Sequence, residues 1–337
     1  MIKEAISQVV DGKSLTMNEA AQVMAEIMDG QVTPAQFGAF VTALRLKGET
    51  IEEIAGMAQT MRSKAVHVSI DEPVVDTCGT GGDNSATFNI STTAAFVVAG
   101  AGVKVAKHGN RAMSSKCGSA DVLEALGVKI DLTAAQVQRC LKEVGIGFMF
   151  APSFHPAMKY ATVPRREIGI RTVFNILGPL TNPAGAQAQV LGVADGALVE
   201  KMANVLKLLG CKHALVVHSE DGLDELTVTS KTFIGELKNN KLRTYTIAPE
   251  EIGLPSAKLI DLKGGTVAEN ALLLRDILSG KASPAADAVL LNAAAALLAA
   301  EHVETIADGV RYARESIGTG QALNKLNSLI ALTQSFK

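Results

Sequence analysis

At 337 residues with 47% hydrophobic side chains, the chain has material for one large or two modest globular domains, which excludes a disordered or fibrous protein. The 32 Lys and Arg stand against 34 Asp and Glu, a formal net charge of -2. The overall field therefore attracts neither nucleic acid nor an anionic membrane, and any phosphate binding has to be local. Cys78, Cys117, Cys140 and Cys211 form no CxxC pair and are too sparse to staple a chain of this length, which points to reduced thiols and a cytoplasmic setting. The opening MIKEAISQVV carries an acidic residue and lacks the apolar stretch of a signal peptide. The longest apolar runs, 94–103 and 293–300, are too short to span a bilayer.

From residue 2 to about 64 the apolar positions recur at helical spacing, as in Ala20, Val23, Met24, Ile27 and in Phe37, Phe40, Val41, Leu44. Thr16 and the pair Thr33-Pro34 are helix-start signals, and the acidic residues of 49–53 suit a first turn. After Asp71-Glu72-Pro73 the pattern changes to short β-rich runs at 74–77, 103–107, 189–193 and 214–218, each followed by a polar or Gly-rich loop and a helical pattern. This alternation predicts a mostly parallel sheet flanked by helices, beside a separate all-helical domain. Between Pro152 and Pro183 the strands stop, and a helical stretch punctuated by Pro and Gly is expected to pack against the N-terminal helices. The helical domain is then discontinuous, 1–70 plus about 156–182, and the α/β domain comprises 71–155 plus 183–337. The runs LTVTS, KTFIGEL and KLRTYTI within 223–247 read as antiparallel strands with a turn at Asn239-Asn240. From Val267 onward the pattern is helical.

Two strand, polar loop, helix units lie back to back between Val74 and Gly127, and each loop suits an anion. The first, Cys78-Gly79-Thr80-Gly81-Gly82-Asp83-Asn84, precedes a helix beginning near Asn89-Ile90-Ser91-Thr92. Glycines let backbone N–H groups approach an anion, and a helix N-terminus adds free donors and partial positive charge. Taken alone the segment also fits a tight turn capped by Ser91 or Thr92. Asp83 favours the ligand reading, because a carboxylate beside a phosphate is repulsive unless a cation lies between them. The second loop, Lys107-His108-Gly109-Asn110-Arg111, concentrates cations and donors at the end of a predicted strand, where open α/β sheets bind ligands. An ordinary solvated basic loop is the alternative.

The turn 218–225, HSEDGLDE, holds four acidic residues in six positions, an oxygen-rich arrangement that could ligate a hard cation or could be a plain exposed turn. In 155–171, His155 is placed to cap a helix beginning at Pro156, and one of Arg165, Arg166 and Arg171 could receive a carboxylate in a bidentate fork. Surface charge on a domain-linking helix explains the same pattern.

Taken together, GTGGD at 79–83, NIST at 89–92, KHGNR at 107–111, GSADVLEALG at 118–127, RTVFNILGPLTNP at 171–183 and DGLDE at 221–225 resemble the anthranilate phosphoribosyltransferase family, in order and over nearly the whole chain. The resemblance implies the fold shared with pyrimidine nucleoside phosphorylases and a homodimer formed through the helical part. It implies transfer of the 5-phosphoribosyl group from phosphoribosyl pyrophosphate to the amino nitrogen of anthranilate, the second step from chorismate toward tryptophan. By the same resemblance Gly79, Gly82, Asp83, Thr87, Asn89, Ser91, Thr92, Lys107, Gly109, Asn110, Arg111, Ser114, Ser115 and Ser119 would bind phosphoribosyl pyrophosphate. Lys107 and Arg111 would supply electrostatic stabilisation, with no general acid or base assigned. Ser91, Asp224 and Glu225 would hold Mg²⁺, a pair of ions per subunit. Gly79, His108, Asn110, His155 and Arg165 would bind anthranilate. Cys117, in place of the usual Ser, and Pro164, directly before Arg165, depart from the family pattern.

A pyrimidine nucleoside phosphorylase and a non-catalytic nucleic-acid-binding paralogue are the competing readings. The acidic turn has no evident use in the first, and the near-neutral charge speaks against the second.

Overall fold

The computed structural model describes residues 1–83, 85–112 and 116–336. The N-terminal unit consists of α1 (Ile2–Val10), α2 (Met17–Met28), α3 (Pro34–Lys47) and α4 (Ile51–Ser63). Thr16, Thr33 and Thr50 each accept a bond from the backbone N–H three residues on, and Glu19, Gln36 and Glu53 return it to the threonine N–H. Each helix start is thus fixed locally, by a contribution of about 1 kcal/mol apiece.

The α/β part runs through β1 (Val75–Gly79), α5 (Ile90–Gly100), β2 (Val105–Gly109), α6 (Ser119–Ala125), α7 (Ala134–Glu143), β3 (Ile146–Phe150) and α8 (Ala151–Phe154). The intervening helical stretch supplies α9 (Lys159–Ile168) and α10 (Phe174–Leu177). Then come β4 (Ala188–Gly192), α11 (Leu198–Leu208), β5 (His213–Ser219), β6 (Thr232–Lys238) and β7 (Lys241–Ile247), and finally α12 (Val267–Leu278), α13 (Pro284–Ala299), α14 (Ile306–Gly318) and α15 (Gln321–Ser335). The seven strands are ordered β3-β2-β1-β4-β5-β6-β7, parallel through β5 and antiparallel beyond it. Asn239 and Asn240 take φ values of 49° and 62° between β6 and β7, the left-handed pair that a two-residue hairpin turn needs.

Side chains alternate between two cores, one on each face of the sheet. Leu215 and Val217 join α5, α13 and their neighbours, while Ala214, Val216 and Leu191 join α11 and the N-terminal helices. Ala161, Val173, Phe174, Leu177 and Leu180, from the stretch carrying α9 and α10, share the second core with Phe37, Phe40 and Met57. The alanine-rich α13 is buried nearly all round, as expected of a helix without a polar face.

Three sequence expectations change. The run Ile146–Phe150, not anticipated as a strand, forms β3 at the sheet edge, wholly buried beneath α7 and α15. LTVTS at 226–230 is not a strand: the Thr227 and Thr229 hydroxyls bond each other at 2.7 Å and both bond Asp221, so local side-chain bonds take the place of a ladder. His155 stands at the N-cap position of the single 3-10 turn Pro156–Met158, as expected, but its side chain makes no capping bond.

At the antiparallel end, Glu236 on β6 receives Arg243 Nε at 3.0 Å, Arg243 Nη2 at 2.8 Å and Tyr245 OH at 2.9 Å, and lies 3.1 Å from His213 Nε2. Burial works against the ionised carboxyl, but the bonds from His213, Arg243 and Tyr245 outweigh it and hold the pKa at about 2. A carboxyl depressed below its ordinary 4.5 contributes stability that is present above that value and is lost as pH falls through the folded value. Glu236→Gln is therefore expected to cost about 2 kcal/mol at pH 7 in denaturant titrations, with the deficit shrinking between about pH 4.5 and 2. A deficit that stays constant over that range contradicts the assignment.

Candidate active site

The carboxyl ends of β1, β2, β4 and β5 lie along one edge of the sheet. The chain runs from β1 outward to β2 and β3, then returns to the other side of β1 to lay down β4 and β5. β1 is thus the topological switch, where open α/β sheets form their ligand crevice. The loop Gly79–Asp83 leaves from it.

The acidic turn following β5 folds back onto this loop. Asp224 Oδ2 accepts the Gly81 N–H at 2.6 Å, and Glu225 Oε1 accepts the Ser91 N–H at 3.3 Å in the first turn of α5. Gly79 and Gly192 face each other in register on β1 and β4, and a Cβ on either would run into Asp224. The turn is anchored from behind by Asn292 on α13, whose side chain pairs with both the N–H (3.1 Å) and the carbonyl (2.7 Å) of Leu226.

Burial raises both carboxyl pKa values; Asp83 adds to the shift for Asp224, and Asp224 adds to it for Glu225. Asp83 itself is bonded by the Ser85 N–H at 3.3 Å and the Ser85 hydroxyl at 2.6 Å. Among the described residues no group of three or more His, Cys, Asp or Glu is arranged to hold a metal ion unaided. A buried carboxylate pair with the Ser91 hydroxyl nearby does fit a hard cation that takes its remaining ligands from substrate oxygens and water.

Lys107, in the middle of β2, is the cation near Glu225, while Arg171 is the one near Asp224. Lys107 is buried, and its Nζ donates to the Thr77 carbonyl and lies 3.3 Å from Ser91 Oγ. Desolvation lowers its pKa, opposed chiefly by Asp76. Asp76 in turn accepts the His108 N–H at 3.3 Å and Asn182 Nδ2 at 2.7 Å, and Asn182 also donates to the Ala106 carbonyl at 2.8 Å. The neighbouring Thr181 carbonyl lies 3.1 Å from His155 Nε2. Thr181 thus holds the His155 ring, and Asn182 holds Asp76 against the His108 backbone; the two histidine rings lie 5.0 Å apart. Burial pushes His108 to about 3 and His155 to about 4, so both imidazoles are neutral at pH 7. His108 Nε2 and His155 Nδ1 have no protein partner among the described residues.

The remaining expected residues divide into three groups. Asn89 Nδ2 donates to the Cys117 carbonyl at 3.1 Å and Asn89 Oδ1 accepts from Asn270 at 3.2 Å, joining the two loops to α12. Thr87 pairs with Lys263 in an isolated bridge, Ser119 Oγ donates to the Asn110 carbonyl at 3.2 Å, and Gly109 is packed against Ser119 and Phe148. Arg165 is partly buried on α9 with its guanidinium 5.4 Å from the Phe174 ring centre; burial lowers its pKa and no carboxylate offsets this. The helix continues through the buried Pro164.

Two more of the expected residues stand near these loops. Arg111 pairs with Asp121 and Glu124 of α6, and Thr92 is buried under the loop beside Lys107 and Phe96. Ser114 and Ser115 lie outside the described residues. Sequence reasoning missed Asp76, Asn182, Gly192 and Asn292. Each acts through a bond or close approach to a residue far away in the chain, which no local pattern marks.

A helical bundle joined to an α/β domain with an anion crevice at the switch strand defines a class, and the chain matches it. Residues 3–65 match the helical bundle domain of the glycosyl transferase family and residues 71–323 its a/b domain. Anthranilate phosphoribosyltransferases from Dehalococcoides mccartyi and Chloroflexus aggregans are 60% and 61% identical, covering 99% of this chain and 99% and 98% of theirs. A crystal structure of anthranilate phosphoribosyltransferase from Thermus thermophilus superposes with a TM-score of 0.94 at 44% identity, covering 98% of this chain and 99% of that one. The Saccharomyces cerevisiae enzyme in complex with phosphoribosyl pyrophosphate and Mg has a TM-score of 0.91 at 28% identity, covering 99% and 98%. The chain belongs to the anthranilate phosphoribosyltransferase family.

The geometry of the acidic pair generates a prediction about stability. Asp224→Asn with Glu225→Gln removes two crowded charges and is expected to raise the melting temperature of the free protein by about 2–4 °C. It should also abolish the further rise that Mg²⁺ with pyrophosphate is expected to give the unaltered protein. A retained ligand-induced rise would contradict the role of the pair.

Proposed function

We propose that the chain transfers the phosphoribosyl group of phosphoribosyl pyrophosphate to the amino nitrogen of anthranilate, releasing pyrophosphate. The observation carrying this reading is the buried Asp224–Glu225 pair held against both a glycine loop and the N-terminus of α5, with Lys107 beside Ser91. A nucleoside phosphorylase would have no evident use for that pair.

The amine attacks C1 of the ribose while the C1–O bond to pyrophosphate breaks, with inversion at C1. Negative charge grows on the leaving group. Lys107 and the positive end of the α5 dipole supply fixed positive potential for it, so the chain's contribution is positional and electrostatic. Ser91, Asp224 and Glu225 would hold Mg²⁺, which supplies charge neutralisation on the pyrophosphate oxygens. The remaining donor contacts would come from Gly79, Gly82, Asp83, Thr87, Asn89, Thr92, Gly109, Asn110, Arg111, Ser114, Ser115 and Ser119. A pair of ions per subunit suits three acidic residues and a diphosphate.

Arg165 offers a desolvated guanidinium to the anthranilate carboxylate, with Gly79, Asn110, His108 and His155 around the ring. Neutral imidazoles of such low pKa are poor proton acceptors, and an aromatic amine needs no prior deprotonation, so these histidines shape the acceptor pocket. The same reading divides the chain into a helical unit, 1–70 with about 156–182, and an α/β unit of 71–155 with 183–337. It places a homodimer contact on the helical unit, which exposes Leu46, Tyr160 and Val163, in a cytoplasmic enzyme. No helix among the described residues is long and apolar enough to cross a membrane.

Mixing the protein with anthranilate and phosphoribosyl pyrophosphate should quench anthranilate fluorescence only when Mg²⁺ is present; no loss with Mg²⁺ overturns the reading. Arg165→Ala should raise the anthranilate KM by about tenfold or more while the donor KM changes by less than about threefold. Equal changes in both would remove Arg165 from the acceptor site.

A further inference from the structure

The peptide unit of Gly81 is gripped from both sides. Its N–H donates to Asp224 at 2.6 Å, and its carbonyl accepts Arg171 Nη2 at 3.0 Å. Gly82 follows at φ +79°, and a Cβ there would overlap the Arg171 guanidinium, so the loop is shaped to that side chain. Arg171 is anchored in turn, because Arg45 on α3 donates to its carbonyl at 2.6 Å.

The backbone on either side of Arg171 is also fixed. Gly169 ends α9 in a left-handed conformation, bonding back to the Arg165 carbonyl at 3.3 Å, and the Thr172 N–H donates to Asn175 at 2.9 Å. Arg165 and Arg171 thus sit at the two ends of one short, pinned segment. One faces the acceptor side and the other grips the donor loop.

We propose that Arg171 is a positioning residue that couples the acceptor-side helix α9 to the donor-side glycine loop, so that filling one substrate site orders the other. The inference rests on the proposed substrate sites and adds a coupling between them. An arginine that only joined two parts of the fold would contribute stability and leave the two binding equilibria independent, whereas a coupling residue changes each site's affinity by the same factor.

The probe pair is anthranilate with Mg²⁺ and pyrophosphate, which bind without reacting. The anthranilate dissociation constant, read from fluorescence, is measured with and without saturating Mg²⁺ and pyrophosphate. In the unaltered protein pyrophosphate should tighten anthranilate binding by about fivefold or more. In Arg171→Ala the factor should fall to about one while anthranilate still binds on its own. Arg171→Lys keeps the charge but not the planar fork and should retain less than half of the wild-type factor. Arg45→Ala, which frees only the Arg171 carbonyl, should give an intermediate value.

No coupling in the unaltered protein, or undiminished coupling in both Arg171 variants, overturns the proposal. Failure of the underlying functional reading would show separately, as absence of phosphoribosyl transfer by the unaltered protein.

Discussion

Asp224 and Glu225 are adjacent carboxylates held under the crevice where β1, β4 and α5 meet, and the surrounding structure accommodates the cost of keeping two negative charges out of water. Gly79 and Gly192 give up side chains so that Asp224 can lie on the strand ends. Gly81 and Ser91 turn backbone N–H groups toward the carboxylates, and Lys107 is drawn beneath them. Even so, burial leaves both carboxyls raised, helped by Asp83 for Asp224 and by Asp224 for Glu225. Acids only partly neutralised by the protein's own groups are what the proposed cation site would use.

The topology brings this arrangement about. Because β1 is the strand at which the chain reverses its direction across the sheet, its loop meets both the loop after β2 and the turn after β5, although these are far apart in sequence. The helical stretch carrying α9 and α10 then returns to the same edge. Through Thr181-Asn182 it holds the His155 ring and Asp76, and through Arg171 it reaches the glycine loop. Arg171 and Asn182 thus add polar links to an apolar core that the helical stretch already shares with one face of the sheet.

Much of this was legible in the sequence where the determinant is local. Capping threonines, glycine loops, the Asn239-Asn240 turn and the parallel strands after Pro73 all carry their cause within a few residues. β3 escaped notice because Ile146–Phe150 is a short, uniformly apolar run whose identity depends on pairing with β2. LTVTS has the composition of a strand, but Asp221 draws its hydroxyls into a local cluster. His155 looked like a helix cap because Pro156 follows it, yet its ring is claimed by the Thr181 carbonyl. Asp76 and Asn182 are ordinary polar residues until the fold places them side by side in the core.

The central claim is that the buried acidic pair and the glycine loop form a site for pyrophosphate that requires a divalent cation. Calorimetric titration of the protein with pyrophosphate, in the presence of Mg²⁺ and in its absence with chelator, tests this most directly. The account predicts that Mg²⁺ tightens pyrophosphate binding by about a hundredfold or more, since without the ion the anion meets two buried carboxylates. Equal affinity under the two conditions would contradict it.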